Sequence, residues 1–90
     1  MIALTRSIYT KSYEQFRQLM VDARKRAGLT QIQLAGKLGK PQSFVSKYEL
    51  GERRLDVIEF LEVAAALAAQ PEVLLRELSD RKRRGESSQK

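Results

Sequence analysis

Residues 30–49, Thr-Gln-Ile-Gln-Leu-Ala-Gly-Lys-Leu-Gly-Lys-Pro-Gln-Ser-Phe-Val-Ser-Lys-Tyr-Glu, decide how this chain folds. Thr30 is an N-cap residue set directly before a helix-periodic apolar run. A short helix is therefore expected from Gln31 to Leu38, burying Leu34, Ala35 and Leu38. Gly39 supplies the left-handed backbone that a sharp turn needs. Pro41 stands near the first turn of the next helix, where its missing N–H costs nothing. That helix is expected to reach about Leu50, with Val45 and Tyr48 inward, and Gly51 closes it. Two helices of about two turns joined by a short glycine-containing turn make a helix-turn-helix. Ala35 is small where the two helices must cross closely. Each residue alone is a weak signal; together, at this spacing, they are specific.

Helical periodicity extends outward on both sides, and only Met1–Tyr9 alternates like a strand. Upstream, Thr10 is expected to cap a helix running to about Ala27, with Tyr13, Phe16, Leu19 or Met20, Ala23 and Ala27 on its apolar face and Gly28 as its stop. Downstream, Asp56 caps a fourth helix, about Val57 to Ala68, burying Phe60, Leu61, Ala64 and Leu67. A fifth is expected from Pro71 to Leu78. Its Val73, Leu74, Leu75 and Leu78 offer more apolar surface than one short helix needs for its own domain, which points to a dimer contact. From Asp80 onward the composition turns to Arg, Lys, Ser and Gln and reads as disordered. The expected organisation is an N-terminal segment (1–9), an all-α five-helix domain (10–79) and a basic tail (80–90).

Ninety residues make one small domain. The chain has no cysteine and no histidine, so disulfides, thiolate metal sites and the commonest general base are all missing. No nucleophile–base or metal constellation is visible, so no enzyme, cofactor or metal is expected. No apolar run is long enough to span a bilayer, and the N-terminal apolar stretch is too short for a secretory signal, which suits a cytoplasmic location. The net charge of +6 is unevenly placed: +7 over residues 1–54, −5 over 55–80 and +4 over 81–90. Such a polarised field suits a polyanion approached from one side.

The pattern Gly-Leu-Thr-Gln-x-x-Leu-Ala-x-x-Leu-Gly (28–39), followed by Pro-Gln-Ser-x-Val-Ser-Lys-Tyr-Glu-x-Gly-Glu-Arg-Arg (41–54), resembles the phage-repressor-like family of helix-turn-helix proteins, also called Xre-type or lambda-repressor-like. The likeness covers roughly Phe16 to Leu78. It implies a five-helix domain that binds a pseudo-palindromic operator in double-stranded DNA as a two-fold dimer and regulates transcription, most simply as a repressor. Antitoxins and restriction–modification controllers share this architecture, and a toxin or other protein partner would distinguish the former. Two departures stand out: Leu55 where many members have proline, and Ala68 where many have glycine.

Carried over residue by residue, the resemblance makes Gln42, Ser43 and Lys47 the base readers. A glutamine amide can bond adenine N6 and N7 together, and lysine suits guanine O6/N7 or a phosphate. Gln31 matches a glutamine that holds a phosphate and braces the glutamine of the next helix, at a helix start that is itself suited to anions. Ser46, Arg53 and Arg54 are candidates for backbone contacts, which position a protein without specifying sequence. Phe44 is expected on the DNA-facing side. Arg24 and Glu49 match a structural ion pair that holds the recognition helix at its docking angle.

Overall fold

In the computed structural model, which describes residues 10–88, the Thr10 hydroxyl accepts from the Tyr13 N–H at 3.1 Å and opens helix α1, Lys11–Arg26. Four more helices follow among the described residues: α2 Gln31–Leu38, α3 Gln42–Leu50, α4 Val57–Ala66 and α5 Pro71–Ser88. The fold is all-α. The readings placed on Met1–Tyr9 and on the last two residues lie outside the described residues. No described helix is long and apolar enough to cross a membrane.

Local chemistry sets the helix ends. Thr30 and Gln33 form a capping box at α2, and Asp56 and Glu59 form another at α4, so each start satisfies two otherwise orphaned N–H groups. Pro41 is the N-cap of α3 and not part of its first turn, and no side chain caps that helix. Gly39 (φ +67°) and Gly51 (φ +83°) take the left-handed conformation. At Gly51 a Cβ would meet Arg17 Cδ at 3.4 Å, an ordinary contact, so the positive φ and not the space strains a larger residue there.

The core gathers Leu19, Met20 and Ala23 of α1, Leu34 and Ala35 of α2, Val45 and Tyr48 of α3, and Leu74 of α5, with Phe60, Val63, Ala64 and Leu67 from α4 and the residue just past it. Helix α2 packs on α3 and α4, and α1 packs on α3 and α5. The helix-turn-helix is therefore held from behind by α1 and α4, and α5 packs against both of these. The Tyr48 ring fills the seam, and its buried hydroxyl has no hydrogen-bond partner among the described residues. Burial raises the pKa of that hydroxyl.

Several expectations need correction. Helix α4 ends at Ala66, two residues early, because Ala68 turns left-handed (φ +55°) in the place where many relatives have glycine. Leu61 is exposed and Val63 is buried instead, because residues 60, 63, 64 and 67 share one face at helical spacing. Ala27, just past α1, is exposed. Leu74 is 4% exposed and belongs to the core, and Leu78 packs against it, so neither is spare surface as expected; Val73 and Leu75 are exposed. Residues 80–88 are helical where a disordered tail is expected, because Arg81 reaches Asp22 and Glu77 and anchors this part of α5 to α1.

Candidate nucleic-acid interface

At about 100° per residue, Gln42, Ser43, Ser46 and Lys47 occupy one outward arc of α3, opposite Val45 and Tyr48. Gln42, Ser43 and Lys47 are exposed and Ser46 is half-buried. Three of the expected contact residues thus share a solvent-facing surface, and Ser46 lies between them.

A chain of hydrogen bonds runs from the interior to this arc. Arg24 donates to both carboxylate oxygens of Glu49, at 2.7 and 3.0 Å, and a third bond goes to the Leu29 carbonyl at 2.8 Å. The Glu49 bond raises the Arg24 pKa, so the guanidinium stays charged despite its burial. Gln31 Nε2 donates to Glu49 Oε1 at 2.9 Å, and Gln42 Nε2 donates to Gln31 Oε1 at 3.3 Å. The direction of this chain follows from donor chemistry. An ionised carboxylate only accepts, so Gln31 must turn its NH2 inward and its oxygen outward. Gln42 must then donate to that oxygen, which leaves its own oxygen and its second N–H available on the outer face. The Arg24–Glu49 pair therefore orients the side chain at the tip of α3 as well as holding the helix. Arg17 adds a bond to the Glu49 carbonyl at the far end of the same helix.

Phe44 does not stand on the outward arc. It is half-buried, meets Tyr48 edge-on at 5.6 Å, and carries two cations, Lys40 at 5.0 Å and Arg53 at 4.8 Å from its ring centre. Its aromatic surface serves as a seat for positive charge. Arg53 is held further by a fork of bonds to Glu59, 3.1 and 3.0 Å. That pairing lowers the Glu59 pKa and raises that of Arg53. Arg54 diverges from its neighbour and stacks over Tyr13 at 4.3 Å, remaining exposed. The two arginines, alike in sequence, therefore differ: Arg53 is paired with a carboxylate and half-buried, and Arg54 is exposed without one. Lys40 was missed by sequence reasoning. Its signal was a cation between the turn glycine and Pro41, four residues before an aromatic.

Comparison with known proteins agrees with this fold. A helix-turn-helix family model matches residues 21–74. The chain is 44% identical to an XRE-family-like protein of Pseudomonas syringae pv. tomato, with a TM-score of 0.77 over 88% of this chain and 96% of that one. It is 31% identical to the restriction-modification controller protein C.AhdI of Aeromonas hydrophila, with a TM-score of 0.65 over 72% of this chain and 98% of that one. Among curated protein sequences, none matches.

Proposed function

The chain belongs to the Xre-type helix-turn-helix family of DNA-binding transcription regulators, and on that footing we propose that it is a repressor that binds a pseudo-palindromic operator as a homodimer. The observation that carries this reading is the outward arc of α3 with its tip residue oriented through Gln31. An amide that offers one oxygen and one N–H side by side is matched to N6 and N7 of adenine. Gln42 reads that base, Ser43 and Lys47 read its neighbours, and Gln31, Ser46 and Arg54 meet the backbone. Arg53, its side chain 38% exposed, meets the backbone with the N–H groups that its fork to Glu59 leaves over.

A second subunit is supported by exposed apolar side chains on the acidic side of the molecule. Val57, Ile58 and Leu61 of α4 and Val73 and Leu75 of α5 are all at least 43% exposed. A two-fold dimer places two α3 helices about one helical turn of DNA apart.

The test is selection from a random DNA pool. The expected product is an inverted repeat with half-sites about 10 bp apart. Gln42→Ala should relax preference at one position per half-site by roughly 1–3 kcal/mol, and an unchanged consensus would refute the assignment. A second reading, a restriction–modification controller, is favoured by the similarity to C.AhdI across nearly all of that protein. A footprint placing the operator beside a restriction endonuclease gene would decide for it.

A further inference from the structure

Helix α5 lies antiparallel to α1, and side-chain bonds hold its C-terminal turns there. Arg26 faces Glu77 at 3.8 Å, and Arg81 spans Glu77 and Asp22 at 3.0 and 3.1 Å. Gln15 donates to the Arg81 carbonyl at 3.4 Å and Lys82 donates to Ser12 at 3.1 Å. The basic end of the chain is thereby set against the N-terminal turns of α1. Between them is an open groove of about 700 Å³ whose charged lining is Lys11, Arg17, Arg81 and Arg84 against the single carboxylate of Glu14. Arg81 is occupied by its two carboxylates, and Arg17 by Glu14 and the Glu49 carbonyl. Lys11 and Arg84 are exposed and make no ion pair among the described residues.

The groove is continuous with the recognition helix. Arg17, in its wall, bonds the Glu49 carbonyl near the end of α3 and packs against Gly51. On the same end of α1, Tyr13 carries Arg54 over its ring and accepts from the Leu55 N–H at 3.1 Å. Cations from three separate stretches, at positions 11, 54 and 84, thus surround the end of α1 nearest the C-terminus of α3. We propose that this groove is a second anion site that takes the sugar-phosphate backbone of the DNA flanking the operator, outside the base pairs read by α3. The proposal rests on the DNA-reading assigned to α3. A helix lying in the major groove brings its ends toward the backbone walls, and exposed cations there add affinity without sequence preference.

The experiment compares wild type with Lys11→Gln/Arg84→Gln, and with Arg76→Gln, which removes a charge from an exposed position elsewhere on α5. Binding to the selected operator is measured across a salt series, with hydroxyl-radical footprinting. Loss of two phosphate contacts per subunit, four in the dimer, should make the slope of log K against log salt shallower by about 3.6, and lower affinity about tenfold or more at low salt. The outer edges of the footprint should lose protection, while the consensus and the melting temperature stay as in wild type. A slope change below half of that value, an unchanged footprint, or an equal effect of Arg76→Gln overturns the groove. A wild-type protein that selects no consensus overturns the α3 reading and the groove together, and is distinguished by the equal loss of selectivity in every variant.

Discussion

Replacing Glu49 separates what the buried pair does for stability from what it does for reading DNA. Glu49 is 5% exposed and takes two bonds from Arg24 and one from Gln31. In Glu49→Leu the Arg24 guanidinium, its side chain 11% exposed, keeps only the Leu29 carbonyl. An orphaned buried charge of this kind costs about 3–5 kcal/mol. A chain of this length has a total stability of roughly 5–13 kcal/mol, so the variant loses a quarter or more of it. The melting temperature should fall by at least about 12 °C, at roughly 4 °C or more per kcal/mol. Arg24→Met/Glu49→Leu removes the orphan as well, and a well-packed apolar pair of similar volume restores most of the stability. Reading should not recover with it, because the Gln31 amide has lost the acceptor that fixed its direction and Gln42 is free to turn either way. Urea denaturation of wild type, both single variants and the double gives the coupling energy, expected at about 3 kcal/mol. DNA selection with the refolded double variant should show weakened preference at the base facing Gln42. A single-variant cost below about 1 kcal/mol would refute the burial argument, since exposed pairs cost that little. A double variant with restored stability and an undiminished consensus would refute the orienting role.

Ala68→Gly should stabilise the domain by about 0.5–1 kcal/mol, since relief of the left-handed strain exceeds the added backbone entropy, and a lowered melting temperature would contradict this. Tyr48→Phe removes a buried hydroxyl without a partner and should be neutral or stabilising by about 1 kcal/mol; a loss of that size in urea denaturation would mean the hydroxyl is satisfied. On acidification, stability should hold above the ordinary carboxylate values of 4.5 and 3.8 and decline below them. Glu59 is held low by Arg53 and then by the Asp56 N–H, and Asp22 by Gln18 and then Arg81. Folded-state values below the unfolded ones contribute stability above the unfolded pKa, and it is lost as pH falls through the folded pKa. Glu59→Gln/Asp22→Asn should flatten that decline in urea midpoints, and stability that rises from pH 5 to pH 3 would contradict the sign.

The path of the chain from Thr10 to Ser88 was legible wherever it rests on local chemistry. Caps at Thr10, Thr30 and Asp56, glycine stops at positions 39 and 51, and apolar residues at helical spacing each act through the backbone within a few residues. These features set the five helices and the outward arc of α3 before any packing is considered. Some failures are local, as at Leu61 and Ala68, and the rest are tertiary. Leu61 stands about 100° from Phe60 and nearly opposite Val63, so helical spacing itself sets Val63 and not Leu61 beside Phe60, Ala64 and Leu67. Phe44 read as a DNA contact until Lys40, Arg53 and Tyr48 converged on it. Arg53 and Arg54 are identical in kind and adjacent, yet one meets Glu59 and the other Tyr13. Residues 81–84 read as a solvated tail because a run of like charges has no local reason to be ordered. Order came from Asp22, nearly sixty residues away, once α1 and α5 lay side by side. The sequence by itself determined the helices and the outward arc of α3, because torsions, caps and periodicity act over a single turn. The tertiary structure decided which charges are engaged and which remain open to a partner, because that choice depends on groups brought together only when the helices pack.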